Sequence, residues 1–129
     1  LEQNPNQGEG WELIAPIYMR VGRTGDAIAA QERAISILGA TSAREVTLGE
    51  FIRAANGRIT AESKAAFERA LARDEKSVPA LFYLGLESAE RGDNAVAARF
   101  WTRVIELTPP GDPWRIPAER RLRMLEKRP

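Results

Sequence analysis

The segment from Val78 to Pro109 constrains the fold most strongly, because two amphipathic helices and the turn between them can be read from it directly. Its apolar residues recur at intervals of three and four, stop at Gly92-Asp93, and resume with the same spacing. Small residues at Gly85 and Ala97 would let the two helices approach closely. The segment predicts a helical hairpin, which needs neighbouring hairpins to bury its apolar faces.

Related hairpins are found earlier in the chain. Five positions of the third hairpin recur 70 residues earlier: Trp11 matches Leu81, Tyr18 matches Ser88, Gly22 matches Gly92, Ala27 matches Ala97 and Ala34 matches Val104. A separation of 70 equals two repeats of about 34 residues plus two extra residues, which we assign to the loop over 39–42. Repeats of this length are typical of tetratricopeptide repeats (TPR). The sequence therefore predicts an all-α, right-handed TPR superhelix.

The predicted array forms one domain over residues 10–127. Three hairpins are expected at about 10–39, 43–73 and 78–109, followed by a Pro- and Gly-rich connector and a capping helix over 114–127. Residues 1–9 are polar and aperiodic, so we expect a flexible linker there, or a cloning remnant at Leu1-Glu2. Phe51 stands 34 residues before Gly85, where a small residue is needed, so we expect the middle hairpin to be splayed.

Composition excludes most catalytic classes. The 129 residues include no Cys and no His, which removes thiol nucleophiles, His bases and thiolate or imidazole metal sites. A net charge of +1 gives no indication of a nucleic-acid partner, and no apolar run approaches the roughly 20 residues of a membrane span. Met19 and Met124 are the only side chains of a typical axial haem type. We predict no enzyme activity, no metal site and no cofactor.

Apolar residues beyond those needed for a core indicate a binding surface. Phe82 and Leu86 share a helix with Leu81 and Leu84, which already serve the hairpin core. The repeat spacing places equivalent positions on the earlier hairpins. We predict an apolar concave strip of Met19, Leu48, Ile52, Phe82 and Leu86, with a rim of Glu12, Arg20, Glu45, Asn56 and Glu90.

The strip admits two interpretations. An apolar strip with a charged rim suits an amphipathic helix of a partner lying in a groove. Alternatively, a narrow superhelix of three hairpins closes on itself and uses these side chains as ordinary core. The exposure of Phe82, Leu86, Ile52 and Leu48 distinguishes a groove from a core.

The order of motifs along the chain resembles one family more closely than the repeat pattern alone requires. The motifs are Gly10-Trp11, Tyr18, Gly22-Arg23 and Glu32-Arg33-Ala34 in the first hairpin, residues 54–60 and 67–71 in the second, and residues 80–85, Gly92-Asp93, Ala97 and Trp101 in the third. The family is that of the periplasmic TPR domain of the cytochrome c biogenesis factor CcmI, also called CycH. The likeness covers about residues 10–127.

The resemblance implies a chaperone that captures unfolded apocytochrome c by its C-terminal helix and presents it for haem ligation. It implies a haem lyase and a thiol-reductant protein as partners, and a periplasmic location as the soluble domain of a protein anchored in the inner membrane. The haem-attachment Cys-x-x-Cys-His motif would then belong to the client, in agreement with the absence of Cys and His here. The alternative is a TPR scaffold that assembles folded partners, for example a specialised accessory subunit of a haem lyase.

Overall fold

The computed structural model describes residues 5–127 and contains seven α-helices over that range. They are α1 (Pro5–Arg20), α2 (Thr24–Leu38), α3 (Ser42–Asn56), α4 (Ala61–Arg73), α5 (Val78–Glu90), α6 (Asn94–Leu107) and α7 (Arg115–Glu126). Each helix packs on the next one along the chain. The helices therefore form three hairpins, with α7 packed on α6, and the predicted all-α array is confirmed.

The turns within the hairpins follow from local chemistry. Gly22 and Gly92 both adopt a φ of 84°, a left-handed conformation that favours glycine. Thr60 caps α4 reciprocally, since its hydroxyl accepts a hydrogen bond from the Ser63 N–H and its own N–H donates to Ser63 Oγ. The Asp93 carboxylate caps α6 by accepting a hydrogen bond from the Val96 N–H at 3.3 Å. These residues fix where the second helices of the hairpins begin.

A large side chain on the second helix packs against a glycine on the first helix in two of the hairpins. A Cβ atom added at Gly85 on α5 would lie 2.4 Å from Trp101 Nε1 on α6. A Cβ atom added at Gly49 on α3 would lie 2.6 Å from the Phe67 ring on α4. Both aromatic side chains are fully buried. The second and third hairpins are therefore closely packed through equivalent contacts.

These contacts correct the predicted register of the middle hairpin. Gly49 and Gly85 are 36 residues apart, whereas Phe67 and Trp101 are 34 residues apart. The two extra residues therefore lie at the end of α3 and in the turn after it, and their assignment to the loop over 39–42 is wrong. Gly49, and not Phe51, occupies the position that needs a small residue. The expected splaying of the middle hairpin is wrong for the same reason.

The first helix begins earlier than expected. α1 starts at Pro5, so the linker predicted over residues 1–9 is wrong from Pro5 onward, and residues 1–4 lie outside the described part of the chain. Proline costs no hydrogen bond at the first helical position. A Cβ atom added at Gly8 would lie 2.7 Å from Leu38 and 2.8 Å from Ile37, so α1 packs tightly on α2 there. Packing on α2 thus supports a helical turn that its polar sequence does not predict.

Candidate partner-binding site

The five residues predicted to line an apolar strip lie at different depths. Leu48, Phe82 and Leu86 are buried, with exposed fractions of 5%, 7% and 6%. Met19 and Ile52 are half-buried. The expectation of an open strip is therefore wrong for three of the five residues, which belong to the core. A role for them in binding stays a prediction, and it would require neighbouring segments to move.

Phe82 and Leu86 are buried because the C-terminal segment covers them. The Trp114 ring lies 5.6 Å from the Phe82 ring, between centroids, and the Trp101 ring lies 6.3 Å from it. Leu86 belongs to the same hydrophobic cluster, to which α7 contributes Ala118 and Leu125. The chain's own C-terminal segment therefore covers residues that a partner helix was expected to contact.

Leu48 is buried because of the register of α3. A spacing of 34 residues matches Leu48 with Phe82, but the observed spacing of 36 between the first helices matches it with Leu84. Leu84 is a core residue, with 3% of its surface exposed. By the same register Ile52 matches Ser88 and not Leu86. A shift of two residues thus moved a core position into the predicted strip.

The five predicted rim residues do not form one boundary. Glu45 is buried, and its carboxylate pairs with the Arg69 guanidinium on α4. Glu12 pairs with Arg44 at 2.8 Å and so connects α1 to α3. The hydrogen bond to this carboxylate raises the pKa of Arg44. The other three rim residues are exposed and accessible to a partner: Arg20, Asn56 and Glu90.

Sequence reasoning missed a polar contact between the second and third hairpins. Tyr83 Oη donates a hydrogen bond to Glu50 Oε2 at 3.0 Å, and its ring stacks on Phe67 with 4.5 Å between centroids. The Arg53 guanidinium lies 5.4 Å from the Tyr83 ring centroid. Burial and then the charge of Glu50 raise the pKa of Tyr83 to about 12, and burial raises the pKa of Glu50. The spacing of one repeat between Glu50 and Tyr83 was the available signal.

Sequence reasoning also missed an exposed apolar surface on the first hairpin. Leu13, Ile17 and Val21 lie on α1 at intervals of four residues and are 73%, 49% and 66% exposed. On α2, the Arg33 guanidinium lies 5.7 Å from the centroid of the Trp11 ring. We name these five residues the first-hairpin face. Its signal in the sequence was the regular spacing of three aliphatic residues that the repeat pattern does not require.

The remaining surface was searched for ion sites and membrane-spanning helices. Within residues 5–127, no group of three or more Asp and Glu side chains is arranged to hold a metal ion. Over the same residues, no helix combines the length and the apolar character needed to cross a bilayer.

Comparison with known proteins relates the chain to proteins of cytochrome c biogenesis. Residues 1–115 match the family model described as the cytochrome c-type biogenesis protein H TPR domain. The chain is 44% identical over 115 residues to the cytochrome c-type biogenesis protein CycH of Rhizobium meliloti (strain 1021). It is 40% identical over 116 residues to the protein of the same name from Bradyrhizobium diazoefficiens. These matches cover 88% and 89% of the chain but 30% and 31% of the relatives, so the chain spans about a third of their length.

The fold also agrees with a solved structure. The crystal structure of MamA superimposes with a TM-score of 0.69 at 19% sequence identity, covering 96% of this chain and 79% of MamA. At this identity the likeness concerns the fold alone. The resemblance inferred from the order of the motifs is confirmed by the family model and by the two relatives. The chain belongs to the TPR-domain family of cytochrome c-type biogenesis protein H, and its role lies in cytochrome c maturation.

Proposed function

We propose that this domain is a binding module that holds apocytochrome c by its C-terminal amphipathic helix and presents it for haem ligation. The match of the cytochrome c-type biogenesis model to residues 1–115 carries the proposal. The architecture supports it, because arrays of helical hairpins bind peptides and helices on their extended surfaces. The domain binds and releases its client and performs no bond chemistry itself.

The proposed setting is the periplasm, with the domain belonging to a protein anchored in the inner membrane. The proposed partners are the haem lyase and the thiol-reductant components of the maturation system. The absence of Cys supports this setting, because a holder without thiols forms no mixed disulfide with the two cysteines of a client's haem-attachment motif. The client's cysteines then stay available to the reductant and to haem.

The polar contacts between hairpins favour a preformed binding surface. Glu12 pairs with Arg44 between the first and second hairpins, and Glu50 accepts a hydrogen bond from Tyr83 between the second and third. Each contact restricts the angle between neighbouring hairpins. A rigid array loses little conformational entropy when it binds, and the ordering cost falls on the client helix.

A peptide titration tests the proposal. The domain is titrated with a labelled peptide from the C-terminal helix of a c-type apocytochrome, and with a scrambled peptide of identical composition. We expect saturable one-to-one binding in the micromolar range, and binding of the scrambled peptide that is weaker by about tenfold or more. Equal affinity for both peptides, or binding to neither, contradicts the proposal. Binding of a folded haem-lyase component without any binding of the peptide would support the scaffold alternative.

A further inference from the structure

The first-hairpin face contains three of the five large apolar side chains that are exposed in the described part of the chain. Leu13, Ile17 and Val21 lie at intervals of four residues, so they form one continuous stripe along α1. Isolated exposed apolar residues need no explanation, but a continuous stripe of three marks a surface that contacts another chain or segment. The internal repeat shows what kind of element fits it.

The positions 70 residues later show how the same side of a first helix is covered in the third hairpin. Leu13, Ile17 and Val21 correspond to Tyr83, Glu87 and Arg91 on α5. The Tyr83 ring stacks on Phe67 of α4, and the Glu87 carboxylate lies 3.4 Å from Lys64 Nζ of α4. This side of α5 is therefore covered by α4, the second helix of the preceding hairpin.

The cavities on the two hairpins show the same relation. A cavity of about 450 Å³ lies beside α5 and has α4 as one wall. Its lining residues Ser88, Val96 and Phe100 correspond to Tyr18, Asp26 and Ala30, which line a cavity of about 330 Å³ on the first hairpin. That second cavity is lined by α1 and α2 alone. The first hairpin thus has the floor of the groove without the helix that forms its wall.

The charge beside the groove indicates what the missing helix should carry. Arg33 on α2 is exposed, stacks on Trp11 and forms no ion pair with any described residue. Its counterpart in the third hairpin, Arg103, lies 3.5 Å from the Glu106 carboxylate. The position equivalent to Glu106 is Ser36, which supplies no charge. An acidic side chain on an incoming helix would therefore find an available guanidinium at Arg33.

We propose that the first-hairpin face seats an amphipathic α-helix of the protein client, in the position that α4 takes on α5. The helix lays an apolar stripe with i, i+4 and i+7 spacing along Leu13, Ile17 and Val21, and directs an acidic residue toward Arg33. This inference rests on the proposed function, because the client is the apocytochrome helix. It assigns that helix to the end of the array and not to the inner strip predicted from the sequence.

The test compares two single substitutions on equally exposed residues. Ile17→Glu places a carboxylate in the centre of the stripe, and Met124→Glu places one on α7, where the side chain is 50% exposed against 49% for Ile17. The probe is the labelled C-terminal peptide of a c-type apocytochrome. We expect Ile17→Glu to weaken peptide binding by about tenfold or more and Met124→Glu to change it by less than about twofold. Circular dichroism melting checks that both variants remain folded.

A third variant tests the charged part of the seat. Arg33→Gln is expected to weaken binding by about threefold or more, with a smaller loss when the acidic residues of the peptide are replaced by their amides. Leu13→Cys and Met124→Cys each give this Cys-free chain a single thiol. A peptide with one cysteine on its apolar stripe should form a disulfide with the first variant and not with the second.

The possible outcomes separate this inference from the proposed function. If the wild-type domain binds the peptide and Ile17→Glu binds it equally well, the inference is overturned and the proposed function stands. If the wild-type domain does not bind the peptide, both are overturned. Sedimentation of the domain alone tests a second copy as the occupant. Self-association that Ile17→Glu abolishes, with peptide binding unchanged, also overturns the inference.

Discussion

The first and third hairpins share one spacing of turns and core positions but differ in what surrounds them. The third hairpin packs against α4 on one side and α7 on the other, whereas among the described residues the first hairpin packs against α3 only. On the covered side, α5 presents Tyr83 and Glu87, and both make polar contacts with the second hairpin. On the corresponding side, α1 presents Leu13 and Ile17 to solvent.

This difference shows that the repeat fixes where a helix face lies, while its neighbours decide which chemistry it carries. A permanent neighbour can supply specific partners, so a covered face tolerates polar groups such as Glu87, which pairs with Lys64 and Arg91. A face that meets a separate helix gains most from apolar area, since apolar contact tolerates different partner sequences. Four substitutions test this comparison.

The largest expected effect concerns the residue that fills each hairpin. Trp101 is 1% exposed and its Nε1 donates a hydrogen bond to the Phe82 carbonyl at 3.2 Å, so Trp101→Ala should lower the free energy of unfolding by about 3–5 kcal/mol. Its counterpart Gln31 donates to the Arg44 carbonyl at 3.2 Å, and Gln31→Ala should cost about 1–2 kcal/mol. Urea unfolding measures both values. Equal losses would mean that the two cores do not differ.

A smaller loss is expected from the helix contact in the third hairpin. Gly85→Ala places a methyl group within contact distance of the Trp101 ring and should cost about 1–3 kcal/mol through overpacking. The first hairpin has Ala15 at the corresponding position, where Ala15→Gly should cost only about 1 kcal/mol through helix propensity. Thermal melting of both variants measures the difference. A neutral Gly85→Ala would show that the helices can separate freely.

The contact between Tyr83 and Glu50 predicts a dependence on alkaline pH. The pKa of Tyr83 is raised to about 12, above its usual value of about 10. Its contribution to stability is therefore fully present below about pH 10 and is lost as the pH rises through about 12. Tyr83→Phe should remove the tyrosinate absorbance that develops near that pH and should cost about 1 kcal/mol at neutral pH. An unchanged ultraviolet titration in Tyr83→Phe would contradict the assignment.

The smallest effect is expected at the first-hairpin face. Leu13→Ser and Ile17→Ser remove exposed side chains that support no core, so each should change the free energy of unfolding by less than about 0.5 kcal/mol. Urea unfolding of the isolated domain measures the change. A loss above about 2 kcal/mol would show that these side chains are already covered in solution, and the contrast between the two hairpins would disappear.

The parts of the fold that sequence predicted correctly depend on local signals. Gly92 and Pro109 delimit the third hairpin through backbone geometry that they impose wherever they occur. The order of motifs also sufficed to identify the family. Both depend on residues near one another in the chain or on their spacing, and neither depends on which surfaces remain uncovered.

The candidate site was harder to predict because exposure is a property of the whole molecule. Phe82 is an excess apolar residue when α5 is considered alone, and its burial depends on Trp114 in a different segment. Leu48 was misplaced because two extra residues were assigned to the wrong turn. The helical turn after Pro5 was missed because its support comes from α2, through the close contact of Gly8 with Leu38.

The longer α3 has a consequence for anyone who recombines these hairpins. Equivalent positions on first helices and on second helices follow different residue counts, so a graft defined by a fixed 34-residue window would join helices out of phase. Two residues of α-helix correspond to a rotation of about 200°, enough to turn an interior side chain toward water. Exchange units that keep each hairpin whole, cut before Ser42 and before Val78, preserve the phase between their two helices.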